Sequence, residues 1–318
     1  MHRSLSLTNF TAFEESQFTF VPGVNVLVGA NATGKTHLMK LLYAMQKHAV
    51  GVASSHLEGP LSAVLAPTFN VERLGRLVRR HVGVQRASIV AEWNHDRRFF
   101  GLNTRSKVLD AGGRWRNTTT PVFIPVKDML AHSRGFGTAY RQRELDYEQV
   151  YADILDLAML PPLRGPIAPN RAALLSALQK QMRGTVTQKN ERFYLNIREG
   201  RHQASLEMPL VAEGWRKLAL LWLLVQNGSL AEGKVLFWDE PEANLNPPMF
   251  AVVADVLHTL AQVGVQVFVA THSYLILQEL DLRRRTDVPF QYIVLSLAMG
   301  PARSARRRLP STARSART

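Results

Sequence analysis

Hydrophobic and polar positions along the chain follow two periodicities, which together predict a fold of strands and helices. Apolar residues alternate with polar ones over residues 4–7 and 17–21, which indicates two strands with one buried face. Uninterrupted apolar runs at 235–238 and 265–270 are typical of strands that are buried on both faces, as in a parallel sheet. We therefore expect an α/β fold with parallel strands at its centre.

The middle of the chain carries both periodicities. Short strand-like runs at residues 87–92 and 97–103 predict an antiparallel meander. Helical spacing of apolar residues at 147–158 and 170–182 predicts two helices, and residues 71–81 keep the same spacing. These segments predict an antiparallel β subdomain and a helical lobe.

A glycine-rich loop follows the first strand that is predicted to be fully buried. The apolar residues 26–28 run into the sequence GANATGKT, and helical spacing begins directly after it. Backbone N–H groups of such a P-loop, together with the N-terminus of the next helix, bind phosphate oxygens. Lys35 is expected to reach the β- and γ-phosphates of ATP, and Thr36 to bind Mg²⁺. The nucleotide-binding residues are then Gly29, Ala30, Asn31, Ala32, Thr33, Gly34, Lys35 and Thr36.

Composition narrows the class of protein. The chain has 318 residues, of which 46% are hydrophobic, and this suffices for one large domain with an insertion. The absence of cysteine excludes disulfides, thiolate catalysis and cysteine-ligated metals. Since no apolar run is long enough to span a membrane and no signal-peptide pattern is present, we expect a cytoplasmic protein without membrane contact.

The formal net charge of +14 is unevenly distributed. Six arginines and no acid lie in residues 301–318, a segment of Ser, Ala, Arg and Pro that we expect to be a disordered basic tail. Without these arginines the chain still carries a charge of +8. This is compatible with DNA or RNA as a partner, and a basic surface with no such partner is the alternative.

Two further strands are predicted to end in chemically specific side chains. Asp239 and Glu240 follow the apolar run at 235–238, and His272 follows the run at 265–270. Ligands of open α/β sheets bind outside the carboxyl ends of the strands. We therefore expect these three side chains beside the P-loop.

These side chains are the ones that hydrolysis of a γ-phosphate requires. Asp239 is expected to share Mg²⁺ with Thr36. Glu240 is expected to orient and deprotonate the attacking water, because an acid committed to the metal is a poor base. His272 is expected to donate to the γ-phosphate. The predicted catalytic residues are thus Glu240, His272 and Lys35.

The segments WDEPEANLNP at residues 238–247 and VATHS at 269–273 resemble the Walker B and D-loop segment and the H-loop of ABC-class ATPases. Together with the P-loop, they are most similar to the RecF- and SMC-related branch, which includes stand-alone bacterial AAA family ATPases and the ATPase domain of OLD-family proteins. The resemblance implies a P-loop NTPase with an ABC-type core sheet, an antiparallel β subdomain and an inserted helical lobe. It implies one ATPase domain at 1–300, with its nucleotide-binding core at 1–50 and 205–298 and the insertion at 51–204.

In that family a signature helix from a second subunit closes over the ATP, which implies a homodimer. Ala212, Glu213, Gly214 and Lys217 lie in the segment AEGWRK, where the signature belongs. Ala212 replaces the usual serine that bonds the γ-phosphate. The contact from the second subunit would then rest on the Gly214 backbone, the helix N-terminus and Lys217. A glutamine that would serve as the Q-loop residue is not identifiable in the sequence.

The resemblance implies an ATP-hydrolysing enzyme that acts as a nucleotide-driven dimerisation switch. Similar ATPases work in DNA repair, or in anti-phage defence alongside a nuclease or toxin partner. The alternative is a low-turnover, ATP-gated module that clamps DNA or a partner protein. The presence of Lys35, Asp239 and Glu240 favours hydrolysis.

Overall fold

The structure is a computed structural model that describes residues 1–53, 60–80, 83–116, 118–142, 144–199 and 202–296. The tail expected at 301–318 lies outside the described residues. The strands among the described residues are β1 (His2–Phe10), β2 (Phe13–Thr19), β3 (Val24–Val28), β4 (Arg86–Trp93), β5 (Asp96–Asn103), β6 (Val108–Gly113), β7 (Val122–Ile124), β8 (Gly184–Lys189), β9 (Arg192–Glu199), β10 (His202–Glu207), β11 (Val235–Asp239), β12 (Gln266–Thr271) and β13 (Phe290–Val294). The α-helices are α1 (Lys35–Ala53), α2 (Ser62–Phe69), α3 (Phe136–Arg141), α4 (Gln149–Ala158), α5 (Pro169–Met182), α6 (Glu213–Gln226), α7 (Pro247–Gln262) and α8 (Tyr274–Leu282). None of these helices is long and apolar enough to cross a membrane.

A parallel sheet with the strand order β13-β3-β12-β11-β7 forms the centre of the fold. Successive side chains of a strand point to opposite faces of the sheet, and β11 shows this alternation. Val235 and Phe237 belong to the hydrophobic core on one face, whereas Leu236 and Trp238 belong to the core on the other. All four side chains are fully buried, which confirms the prediction of a strand that is covered on both faces.

An antiparallel sheet and helix α1 cover one face of the parallel sheet. The antiparallel sheet has the order β2-β1-β4-β5-β6, so β1 pairs with both β2 and β4. Leu5 of β1 and Leu38 of α1 share one hydrophobic core with Phe237 and Phe268 of the parallel sheet. Helix α1, which begins at the P-loop, is thereby fixed between the two sheets.

Helices α6 and α7 cover the opposite face, and α5 packs against α6 from outside. Leu178 of α5, Leu221 of α6 and Val253 of α7 belong to one core with Val267 of the parallel sheet. A small antiparallel sheet, β10-β9-β8, adds Leu195 to the same core. The ABC-type arrangement of a parallel sheet, an antiparallel subdomain and a lobe is thus the observed fold.

Four strands of residues 51–204, the expected insertion, belong to the two main sheets: β4, β5 and β6 to the antiparallel sheet and β7 to the parallel sheet. Strand β4 pairs with β1, and β7 pairs with β11 with Phe123 opposite Phe237. The pairing follows burial and not chain order, because Val122, Phe123 and Ile124 are as deeply buried as the residues of β11. The lobe itself comprises α3 to α5 and β8 to β10. The division of the chain into one ATPase domain with a tail stays a prediction.

The predicted helix at residues 71–81 is wrong in extent. Within the described residues 71–80, only a 3-10 helix, Leu74–Leu77, forms, and residue 81 lies outside the described part of the chain. Val78 makes an isolated antiparallel bridge with Phe10, and the carbonyl oxygen of Leu77 accepts the N–H of Thr11. The turn between β1 and β2 thus uses the backbone groups that a longer helix would need.

Candidate nucleotide and magnesium site

The P-loop connects β3 with α1, and its geometry requires glycine at both ends. A side chain at Gly29 would place Cβ 2.4 Å from the carbonyl oxygen of Leu295. Gly34 has a φ of +95°, and a Cβ there would lie 2.6 Å from the ring of Phe13. Both positions therefore need glycine for the backbone to turn closely into the helix.

Lys35 lies across the mouth of this loop. Its side chain is buried, and its Nζ donates to the carbonyl oxygens of Gly29 and Ala30 at 2.7 and 2.9 Å. The hydroxyl of Thr33 also donates to Ala30, at 2.9 Å. The loop is thus held in a concave shape with a cation at its centre, which is the environment that phosphate oxygens require.

The P-loop forms one wall of a cavity of about 550 Å³, a size that is typical of small-molecule sites. Phe69 and Arg76 line it from the segment that follows α1, and Glu240 lines it from the turn after β11. The P-loop residues that line the cavity are Asn31, Ala32, Thr33, Gly34, Lys35 and Thr36. The structure therefore brings Glu240 and the P-loop to one space.

Asp239 lies beside the start of α1. The hydroxyl of Thr36 donates to its Oδ2 at 2.8 Å, and only 6% of Asp239 is exposed. The pKa of Asp239 is raised to about 6, mainly by burial; the Thr36 hydrogen bond and the cations Lys40 and Lys35 oppose the rise, and the neighbouring Glu240 adds to it. The nearby cations Lys40 and Lys35 only partly offset the cost of ionising this buried carboxylate. Mg²⁺ fits here, because it takes carboxylate and hydroxyl oxygens as ligands.

Glu240 and His272 are in contact at the carboxyl ends of β11 and β12. His272 Nδ1 lies 3.0 Å from Glu240 Oε1. Glu240 has a φ of +46°, which is uncommon for a residue other than glycine and costs about 1 kcal/mol or more. Its N–H donates to the carbonyl oxygen of Ala270 at 2.9 Å, which holds this conformation. Backbone strain at Glu240 thus directs its carboxylate toward both His272 and the cavity.

Glu242 is a second acid of this turn, and sequence reasoning gave it no role. Its carboxylate is buried and accepts the hydroxyl of Thr271, whose oxygen in turn accepts the N–H of Ser273 at 3.0 Å. Burial raises the pKa of Glu242. These bonds tie the turn after β11 to the turn after β12 and so fix the backbone on both sides of His272. In the sequence, the second Glu of the segment DEPE was the feature from which a role for Glu242 could have been predicted.

The signature segment lies against the turn after β11 of its own chain. Ala212 is exposed at the N-cap of α6, where it offers no side-chain cap. The Nδ2 of Asn244 donates to Glu213 at 3.1 Å. A Cβ at Gly214 would lie 3.1 Å from Leu245, so this glycine allows close packing of α6 on the turn.

Lys217 does not point outward, as its expected contact with a second subunit requires. Its side chain is 3% exposed, and its Nζ donates to the carbonyl oxygens of Pro241 and Ala243. Burial lowers the pKa of Lys217. Lys217 points inward because its position in the helix places it on the face of α6 that packs on the turn after β11. In this conformation Lys217 binds its own chain.

Arg216 and Asp128 form a further contact that sequence reasoning missed. Arg216 Nε lies 2.7 Å from Asp128 Oδ2, and Asp128 also accepts the N–H of Leu130 at 3.3 Å. Asp128 lies in the loop after β7, at the carboxyl ends of the parallel strands, where the P-loop and Glu240 also lie. Residues 121–125 have the apolar pattern of a buried run, but no feature of the local sequence links the loop that follows β7 to α6.

Comparison with known protein families gives a match over residues 107–278, more than half of the chain. The matching family is described as "AAA domain, putative AbiEii toxin, Type IV TA system". The matched region begins after the P-loop and includes the signature segment, Asp239, Glu240 and His272.

Curated proteins and solved structures show two further similarities. The DNA replication and repair protein RecF of Limosilactobacillus fermentum is 44% identical over 43 residues, which cover 14% of this chain and only 12% of that protein's length. The Smc head domain with an extended coiled coil from Pyrococcus furiosus, bound to the C-terminal domain of ScpA, aligns with a TM-score of 0.51 at 11% identity, over 87% of this chain and 91% of that chain. An SmcHead bound to the C-winged helix domain of ScpA aligns with a TM-score of 0.55 at 12% identity, over 87% and 92%. At these identities the two structures show a shared fold.

Proposed function

Because the chain belongs to this AAA-domain family and is an ABC-class ATPase of the RecF- and SMC-related branch, we propose that it binds ATP with Mg²⁺ and hydrolyses it to ADP and phosphate. One observation carries the proposal. Glu240 faces the cavity that the P-loop lines, in contact with His272 and directly after the Asp239 that bonds Thr36. The residues proposed for a phosphate site, a metal site and a base thus lie together at the carboxyl ends of the parallel strands.

Phosphate binding is assigned to the P-loop. Its N–H groups and the N-terminus of α1 would bind the β- and γ-phosphates, and Lys35 would exchange its bonds to Gly29 and Ala30 for bonds to phosphate oxygens. Mg²⁺, held by Thr36 and Asp239, would supply positive charge to the same phosphates. Asp239 would bind it as the ionised carboxylate.

Proton transfer is assigned to Glu240. Its carboxylate would hold the attacking water and accept its proton, a role that typically contributes about 10²- to 10⁴-fold in rate. With both ring nitrogens protonated, His272 would donate to Glu240 from Nδ1, which orients that carboxylate, and to the γ-phosphate from Nε2. Lys35 would stabilise the charge that develops on the transferred group.

We infer that ATP drives dimerisation of the chain. A second copy would place the N-terminus of its α6, with Ala212, Glu213 and Gly214, against the γ-phosphate. Two exposed apolar side chains support this surface: Leu210, which precedes the signature and is 75% exposed, and Tyr274, which follows His272 and is 70% exposed.

We infer a biological setting from what the relatives are called. The family description names a toxin–antitoxin system, and the RecF relative is named for DNA replication and repair. We propose that the switch acts in DNA repair or in anti-phage defence, where a nuclease or toxin would be its partner and DNA a possible ligand.

The second candidate function is a low-turnover clamp that closes on DNA or a partner protein with ATP. Ala212 in place of a hydroxyl residue and the inward position of Lys217 favour it, because both reduce the groups available to the γ-phosphate from a second subunit.

Steady-state phosphate release, with and without duplex DNA, tests these functions. We expect turnover in the parent, loss of both binding and turnover in Lys35→Ala, and loss of turnover alone in Glu240→Gln. Binding of ATP with no turnover under either condition would support the clamp. Parental turnover in Glu240→Gln would refute the assigned base.

A further inference from the structure

A second concave surface lies between α5 and the small sheet β10-β9-β8. Its volume is about 770 Å³, and none of its lining residues lines the nucleotide cavity. Helix α5 contributes Lys180 and Gln179, the helix end contributes Arg183, and β9 contributes Asn196 and Arg198. We call this surface the basic groove.

The charged side chains among the described residues that line the basic groove are all cations. Lys180, Arg183 and Arg198 line it, and no Asp or Glu is among the described residues that do so. All three cations are exposed. When the amide oxygen of Gln203 faces Arg198, it accepts from Nε at 3.1 Å and from Nη2 at 2.6 Å, which braces the guanidinium. In this orientation of Gln203, the Arg198 guanidinium is held in place at the exposed surface of the groove.

The other polar groups of the groove complement the same kind of ligand. Gln179 and Asn196 offer amide N–H donors, and Thr185 offers a hydroxyl. Amide and hydroxyl donors beside Lys and Arg are the groups that proteins use to bind phosphate oxygens of nucleic acids. The groove thus fits a ligand that carries several phosphates.

We propose that the basic groove binds the phosphate backbone of double-stranded nucleic acid. Single-stranded nucleic acid is usually held by stacking of its bases on aromatic side chains. No aromatic side chain is among the described residues that line the groove. Contacts to phosphate alone carry no sequence information, so the binding is independent of sequence. This goes beyond the proposed ATPase function, because no residue of the nucleotide site takes part.

The position of the groove gives bound duplex a route to the ATPase site. Leu174 and Leu178 on the inner face of α5 belong to the same core as Leu221 of α6, the signature helix. Lys180 and Arg183 lie at the end of that same α5. A duplex in the groove would therefore contact a helix that packs directly on the signature helix.

The double variant Lys180→Ala/Arg198→Ala of the full chain tests the proposal. Its matched control is Arg164→Ala/Lys189→Ala, which removes the same charge from two exposed residues outside the groove. Fluorescence anisotropy of a short labelled DNA duplex would be measured over a salt series from about 50 to 200 mM. The groove variant should bind on the order of tenfold more weakly or worse, and its salt slope should fall by about 0.9 for each lost phosphate contact. The control should keep the parental affinity and slope.

Duplexes of unrelated sequence and a duplex RNA should show the same loss in the groove variant. Equal affinities of the groove variant and the control would overturn the proposal, as would a groove-dependent preference for single-stranded DNA. The arginines of residues 303–317 are present in every variant, so their contribution does not enter the difference. Nucleotide affinity, measured on the same samples, should be parental. A failed groove is thereby distinguished from a failed nucleotide site.

Discussion

Arg216 Nε lies 2.7 Å from Asp128 Oδ2, and this ion pair joins the signature helix to the loop after β7. The side chains are 16% and 4% exposed. On the neighbouring residue, Lys217 bonds the turn after β11. The first turn of α6 is thus held by two loops. Both loops begin at the carboxyl ends of parallel strands, on the side of the sheet where the phosphate site is proposed. A shift of either loop on nucleotide binding would move the signature segment.

Asp128→Asn should show whether the contact between Arg216 and the loop after β7 affects ATP hydrolysis without affecting nucleotide binding. The change leaves the Arg216 guanidinium, whose side chain is 16% exposed, with only the more distant carboxylate of Glu213 at 3.8 Å, and losing a charged partner at such a site typically costs about 1 to 3 kcal/mol of unfolding free energy. We expect a lower melting temperature and a lower turnover, with the nucleotide affinity of the monomer within about twofold of the parent.

The double variant Asp128→Asn/Arg216→Met is the control, because replacing both partners removes the unpaired charge. It should recover the melting temperature and not the turnover. Parental turnover in Asp128→Asn would show that the ion pair has no part in the ATPase cycle.

Asp239→Asn should stabilise the nucleotide-free protein at high pH. The pKa of Asp239 is raised from 3.8 to about 6 by burial, so the folded state binds this proton more tightly than the unfolded chain. The unfolding free energy that this tighter proton binding adds is fully present below the pKa of the unfolded chain. It is lost as the pH rises through about 6, above which the buried carboxylate is ionised. The unfolding free energy therefore rises by roughly 3 kcal/mol near pH 8 when Asn replaces Asp239, and changes little near pH 4.

Denaturant unfolding of both proteins at the two pH values measures this difference, and titrating groups that do not interact with Asp239 cancel in it. Mg²⁺ and ATP should then stabilise the parent and leave Asp239→Asn almost unchanged, since the metal needs the ionised carboxylate. A stability gain that is equal at both pH values would contradict the burial of an ionisable group at this position.

Two substitutions of Ala212 test whether the N-terminus of α6 reaches a nucleotide in a second chain. Serine and aspartate are both good N-caps, so each should stabilise α6 by about 1 kcal/mol. Ala212→Ser adds a donor toward a γ-phosphate and should strengthen ATP-dependent dimerisation. Ala212→Asp places a negative charge there and should abolish it. Equal dimerisation of the two variants, measured by sedimentation with ATP, would exclude a contact of this residue with nucleotide.

The central strands and the three groups at their ends were predictable, because each lies directly after a buried apolar run. Val235 to Trp238 could only be a strand covered on both faces, and its end places Asp239 beside the P-loop. Parallel neighbours then bring His272 to Glu240. Local sequence and the topology of a parallel sheet therefore suffice to predict the central strands and the side chains that follow them.

Contacts that depend on tertiary packing were not predictable. Asp128 is joined to Arg216 because β7 pairs with β11, and local sequence does not determine that pairing. The direction of Lys217 depends on how α6 packs against the turn after β11. The backbone groups near Leu77 are used by the turn of β1 and β2, and this overrides the helical spacing at 71–81. In each case the deciding partner lies more than 20 residues away in the chain.

The most direct test of the account is the mass in solution of Glu240→Gln with and without ATP and Mg²⁺. The amide keeps the shape of the side chain and removes the proton acceptor, so ATP should bind and remain intact. Light scattering should then show the 35.7 kDa of one chain without nucleotide and twice that mass with ATP and Mg²⁺. Glu240→Gln combined with Lys35→Ala should remain at the mass of one chain under both conditions. If Glu240→Gln binds ATP and still has the mass of one chain, the ATP-driven dimer is wrong.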